Sequence, residues 1–241
     1  IIKSAGGTDL LKENPVNKTP GVGDFSVYQG FAVNLRWLRY IYILNRILSH
    51  KMIVDKPWVD IGSFYGGLQG LVRKYNGQQP IILVDFHHQL LRSYVYLKTQ
   101  YPNVIHILPN QIEKALVSDG FPLGSFIYCP VQKFDSLNSL KVDLVTNFFS
   151  FGEMTRPTFF NYLNSPLVQN SNTRYFVNRF VSAPFFEPTY DSDLNVFDYF
   201  PNERLKYFDV FPMHHYHLIK RPLFGRNSPR NTSSSYFELV Y

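Results

Sequence analysis

One cysteine, Cys129, stands among 241 residues, so no intramolecular disulfide can form. A chain of this length can bury enough apolar surface to hold a core without such a staple. A lone thiol fits a reducing compartment, and a cytoplasmic location is expected. No run approaches 18 consecutive apolar residues, which argues against a spanning helix. The opening IIKSAGG has no initiating Met and no signal-peptide pattern, as expected for a piece of a longer protein. Nowhere do His, Cys, Asp and Glu fall at metal-ligand spacing, so no metal is expected. Charge is also sparse. The 24 Lys and Arg against 18 Asp and Glu leave +6, with no dense basic cluster and no binding motif. Nucleic acid is therefore excluded as a partner, whereas anionic ligands such as nucleotide diphosphates suit the excess.

What the chain does have is aromatic surface: 22 Phe, 17 Tyr and 2 Trp. Most of it belongs in a core, but aromatic faces also suit sugar rings and adenine. Residues 1–30 read as an irregular arm rich in Gly, Pro, Asn and Lys. Residues 31–50 read as one amphipathic helix, with Leu38, Ile41, Leu44 and Leu48 on one side and Arg36, Arg39 and Arg46 on another. From Pro57 the texture changes. WVDIG, IILVDF, VIHIL, FIYCP, VDLVTNF and TRYFVNRF read as strands. GGLQGLVRKYN, HHQLLRSYVYLKTQYP, QIEKALV and TRPTFFNYLNSPLVQ read as helices between them. Strands spaced by helices predict an α/β fold, a doubly wound and mainly parallel sheet with ligands beyond the carboxyl ends of its strands. The arm and first helix, 1–56, precede a main α/β domain at 57–241. Beyond Val181, prolines break the pattern, and FDYF, YFDVF and YHLIK suggest a closing antiparallel pair; NSPRNTSSS reads as low-complexity.

The first of these strands ends in Asp60-Ile-Gly62-Ser63-Phe64-Tyr65-Gly66-Gly67 and enters a helix directly. Glycines at such a turn let backbone approach a ligand, and the helix start offers free N–H groups. Asp60 is placed to hold a ligand ammonium. The second strand ends in Asp85-Phe86, where a carboxylate reaches ribose hydroxyls and a ring can pack on adenine. A nicotinamide-dependent oxidoreductase would share this much. Phe64, however, occupies the place of the second glycine in the dinucleotide fingerprint and would obstruct a pyrophosphate. A nucleoside cofactor without one fits better.

Asp60-x-Gly62-x-x-x-Gly66 followed by Asp85 resembles motifs I and II of the class I S-adenosylmethionine-dependent methyltransferases. The run from Val142 to Met154, ending Ser150-Phe151-Gly152-Glu153-Met154, resembles the signature of the sugar O-methyltransferases encoded in bacterial surface-polysaccharide clusters. The resemblance spans roughly residues 20 to 225. It implies a Rossmann-like methyltransferase sheet, S-adenosylmethionine as cofactor and a sugar or nucleotide-sugar hydroxyl as acceptor; oligomeric state is left open by the sequence, a homo-oligomer included. It further implies cofactor contacts at Asp60, Gly62, Ser63, Tyr65, Gly66, Asp85, Phe86, Gln132 and Asn147. The family turn carries more glycine than this one, with Ser63 and Phe64 as the departures. A noncatalytic module that keeps the fold is the alternative those departures raise.

Transfer to a sugar hydroxyl calls for a general base within hydrogen-bond reach of a weak nucleophile. Glu153, one turn beyond the strand end at Asn147, is the first candidate. The cluster His214-His215-Tyr216-His217 is the second, with His215 ahead of His214. Arg156, Arg179 and Arg204 are candidates for a diphosphate or an acidic sugar.

Overall fold

A computed structural model describes residues 7–16, 25–28, 30–75, 78–118, 120–182, 194–200, 205–213 and 235–241. A short helix α1 (Thr8–Glu13) and a hairpin of β1 (Ser26–Tyr28) and β2 (Phe31–Val33) precede α2 (Leu35–Ser49). The remaining strands are β3 (Trp58–Ile61), β4 (Ile81–Asp85), β5 (His106–Ile107), β6 (Phe126–Pro130), β7 (Leu144–Phe148), β8 (Thr173–Arg179), β9 (Val181–Ser182), β10 (Leu194–Asn195), β11 (Tyr207–Val210) and β12 (Tyr236–Val240). The helices among them are α3 (Gly67–Tyr75), α4 (His87–Gln100), α5 (Ile112–Val117), α6 (Arg156–Leu163) and α7 (Pro166–Gln169).

Eight strands form one sheet in the order β11-β12-β8-β7-β3-β4-β6-β5. From β5 to β8 every pairing is parallel, and β12 runs antiparallel between β8 and β11. The strand β3 lies inside, with β4 on one side and β7 on the other, as a doubly wound sheet requires. The chain winds outward from β3 to one edge and then returns to β7. In doubly wound sheets such a reversal places the ligand crevice above the carboxyl ends of the two strands it separates, here β3 and β7.

Apolar residues alternate across the strands because each layer of helices needs its own face. Trp58, Leu83, Tyr128, Leu144 and Tyr175 pack against α2, α3 and α4. Val59, Ile61, Ile82, Val84, Val145 and Phe176 pack against α6 and α7. Among the described residues no helix is long and apolar enough to cross a membrane.

Four local readings are corrected. The segment at 31–33 is a strand, and α2 begins only after Asn34, whose side chain accepts the Trp37 amide at 2.7 Å. Nor is α2 a one-sided helix: Trp37, Arg39, Tyr40, Ile41, Tyr42, Ile43, Leu44 and Ile47 are all buried, so it is wedged into the core. The helix expected at 155–169 is two, since Ser165 caps a new start and Pro166 cannot continue the old one. The closing antiparallel pair exists, but YFDVF pairs with the terminal YFELV; FDYF falls in a 3-10 turn (Val196–Tyr199). The YHLIK segment lies outside the described residues.

Candidate active site

The turn after β3 is built on glycine where backbone geometry demands it. Gly62 and Gly66 take φ of +78° and +89°. A Cβ on Gly62 would collide with the Ser150 side chain, so the β3 turn and the segment after β7 touch there. Phe64 takes φ of +55° without being glycine, and Phe149, at the end of β7, takes +69°. Left-handed backbone at bulky residues costs roughly 1–3 kcal/mol each and collects at functional sites. Both phenylalanines flank the crevice, and both rings are covered by guanidinium groups. Arg36 and Arg92 lie 4.6 and 5.1 Å from the Phe64 centroid, and Arg39 lies 4.6 Å from that of Phe149.

Asp85 meets this turn directly. One carboxylate oxygen accepts the Phe64 amide and the other the Phe86 amide, each at 2.8 Å. The group is half-buried and its pKa is raised by burial, against the pull of those two N–H donors. Each oxygen keeps a lone pair for a ligand. Phe86 beside it is exposed and stacks parallel on His88 at 5.8 Å. Ser63 is buried, and its hydroxyl has no partner among the described residues. Such an orphan costs free energy unless a ligand or water satisfies it.

Three predicted contacts turn inward instead. Asp60 is buried and accepts from Thr146 Oγ1 at 2.5 Å and from the Gln69 amide, so both oxygens serve the core. Burial pushes its pKa up to about 7, with the Thr146 hydrogen bond opposing and Asp85 adding to the rise. Tyr65 is fully buried with its hydroxyl unpartnered among the described residues, so its side chain belongs to the core. The Asn147 amide is saturated: it donates to the Ile61 carbonyl at 2.7 Å and Ser150 Oγ at 2.6 Å. Its oxygen accepts from the Phe151 amide at 2.9 Å and Asn178 at 3.0 Å. Asn147 shapes the crevice from behind. Gln132 is exposed on the 3-10 turn that follows β6 (Val131–Leu137).

Glu153 ends a 3-10 turn (Phe151–Glu153) that this asparagine network holds. The Gly152 amide donates to Asn178 Oδ1 at 3.4 Å, and the Glu153 amide to the Ser150 carbonyl at 2.9 Å. The side chain reaches solvent, but surrounding protein desolvates it and raises its pKa; Arg179 opposes that rise and Asp85 adds to it. Asp85 and Arg179 are thus near enough to Glu153 to act on its charge, from β4 and β8 at the same end of the sheet. Residue types alone did not reveal Asn178 or Gln69, which are marked by their hydrogen bonds to Asn147 and Asp60; Ser150 opens the signature run, and the structure packs it against Gly62. His214 and His215, like Arg204, lie outside the described residues. Arg156 is engaged by Asp198 through two contacts, one of 3.0 Å, and is not free for a diphosphate. Asp143 ties a loop: burial would raise its pKa, but the amides of Lys56, Val54 and Asp55, each at 2.8 Å, hold it below the usual range.

No family model matches the chain, and no curated protein does. Among solved structures it is similar to magnesium protoporphyrin IX methyltransferase from Synechocystis PCC 6803, crystallised with bound SAM. That likeness has 10% identity and TM-score 0.47, covering 90% of this chain and 86% of that one. A SAM-dependent methyltransferase from Leishmania major gives 14% identity and TM-score 0.44, with 83% and 70% covered. TehB from Haemophilus influenzae gives 8% and 0.47, with 80% and 59% covered. The chain spans 45% of the length of the plantazolicin methyltransferase BpumL, at 14% identity and TM-score 0.37, which covers 58% of this chain. The fold assignment rests on the strand order and pairing described above.

Proposed function

We propose that this chain transfers a methyl group from S-adenosylmethionine to a hydroxyl of a sugar or nucleotide-sugar. The observation that carries the reading is the junction of the two motifs: the Asp85 carboxylate accepts the Phe64 amide of the glycine turn at 2.8 Å, at the carboxyl ends of the paired strands β3 and β4. The residues fit the cofactor. Asp85 offers acceptors for the ribose hydroxyls, exposed Phe86 a surface for adenine, and Ser63 an unsatisfied buried hydroxyl. When bound, the cofactor would supply an electrophilic methyl group, its S–CH3 bond breaking as the acceptor oxygen bonds the carbon and leaving a neutral thioether as the departing product. Asp60 acts through Gln69 and Thr146, holding the turn in shape rather than grasping the ligand.

On the acceptor side, Glu153 takes the proton of the attacking hydroxyl as its oxygen gains the methyl group. Desolvation raises the Glu153 pKa, which makes it a stronger proton acceptor once ionised. The asparagine pair holds its turn in place, and such alignment is a large part of what an in-line displacement needs.

Calorimetry and mass spectrometry test this together. The chain should bind S-adenosylmethionine, and Asp85→Ala should weaken that binding by about 1–3 kcal/mol. A panel of sugars and nucleotide-sugars should yield one that gains a single methyl group. Glu153→Gln should lower turnover roughly 10²–10⁴-fold with donor binding intact. Absent donor binding would overturn the cofactor reading. Donor binding with no transfer to any hydroxyl would point to a noncatalytic module.

A further inference from the structure

We propose that the wall of the crevice beside Glu153 is an anion subsite centred on Arg179, and that the acceptor carries a carboxylate or phosphate group there. The word acceptor rests on the methyl-transfer reading; the subsite itself does not.

Arg179 is the last residue of β8 and is exposed at the strand's carboxyl end. The Gly152–Asn178 hydrogen bond seats the Glu153 turn against the residue just before it. Its Nε donates to the Tyr236 hydroxyl at 3.3 Å, which fixes the orientation of the guanidinium. Among the described residues no carboxylate comes within ion-pair distance of it, although Glu153 stands across the same rim. The two terminal nitrogens therefore remain for a ligand, and that edge matches two oxygens of a carboxylate or phosphate.

Arg39 adds to the charge from below. It is 5% exposed, stacks 5.1 Å from the centroid of the same Tyr236 ring, and donates to the Met213 carbonyl at 3.3 Å. Its Nε has no partner, and no carboxylate pairs with it among the described residues. A buried cation without a counter-charge is costly, and an arriving anion offsets part of that cost. Arg156, by comparison, is matched by Asp198 and Arg46 by Glu238. Arg179 and Arg39, bridged by one tyrosine, are not so matched.

The test titrates the full chain with D-glucuronate, D-glucose and pyrophosphate, and separately with S-adenosylmethionine. At least one anion should bind roughly tenfold or more tightly than glucose. Arg179→Gln should remove that preference, while Arg179→Lys keeps part of it and donor affinity stays unchanged in both. Preference for glucuronate alone would place a sugar carboxylate in the subsite, and preference for pyrophosphate alone a nucleotide-linked acceptor. If neither anion binds more tightly than glucose, or if the Gln variant binds them as the wild type does, the subsite is refuted. Anion binding without donor binding would uphold the subsite and remove the methyl-transfer reading. Donor binding without anion preference would refute the subsite and leave the methyl-transfer reading to the transfer assay.

Discussion

Asp60 shows how far a residue's environment departs from its motif. A carboxylate at the end of the first strand reads as a ligand for an ammonium, yet its two oxygens are taken by Thr146 and Gln69 in the core. Because burial raises its pKa to about 7, the folded state holds this proton more tightly than the unfolded chain does. The stability it contributes is therefore greatest below about pH 4, the unfolded value, and falls as pH rises through about 7. Asp60→Asn removes the titration. Between pH 5 and pH 8 the wild type should lose roughly 2–3 kcal/mol relative to the variant, measured by urea denaturation at both values. A constant difference between the two proteins would mean that Asp60 titrates normally.

At the scale of elements, the turn from Phe149 to Glu153 is the part of the site that the structure defines most closely. It begins with a left-handed Phe149 and is tied down by Asn147 and Asn178, both fully buried. Asn178 sits mid-pattern in a strand, where an asparagine is an unremarkable interruption of apolar alternation. Its partners, Asn147 and Gly152, lie 31 and 26 residues away. Asn178→Ala should cost about 1–3 kcal/mol, because it leaves the Gly152 amide and the Asn147 oxygen short of a partner. Hydrogen exchange at the Gly152 amide should quicken while donor affinity holds. Unchanged exchange there would show that the turn is held by Asn147 alone.

For the whole molecule, the junction that matters is the insertion of β12 between β8 and β11. Glu238, 1% exposed in the middle of β12, accepts from Tyr42 on α2 at 2.6 Å, Tyr175 on β8 at 2.9 Å and Tyr207 on β11 at 3.0 Å; Arg46 lies 3.5 Å away. One carboxylate thus joins a helix and three strands. Glu238→Ala strands three hydroxyls around a cavity and should destabilise the fold by about 3–5 kcal/mol, read from denaturant midpoints. A loss below about 1 kcal/mol would mean that the tyrosines find other partners.

Apolar alternation and turn chemistry are local, so the sequence by itself determined the parallel core: the six strands from β3 to β8, the glycine turn at 62–67, and Asp85 opposite it. These follow from side-chain period and backbone freedom, which neighbouring residues carry. The burial of Arg39, the saturation of Asp60 and Asn147, the left-handed Phe64 and Phe149, and the Glu238 junction came from tertiary structure alone. Long-range partners enter these arrangements, among them Phe64 with Asp85, 21 positions apart, Asp60 with Thr146, 86 apart, and Tyr42 with Glu238, 196 apart. A polar or charged side chain reads as solvent-facing or ligand-facing until the groups that satisfy it are brought alongside.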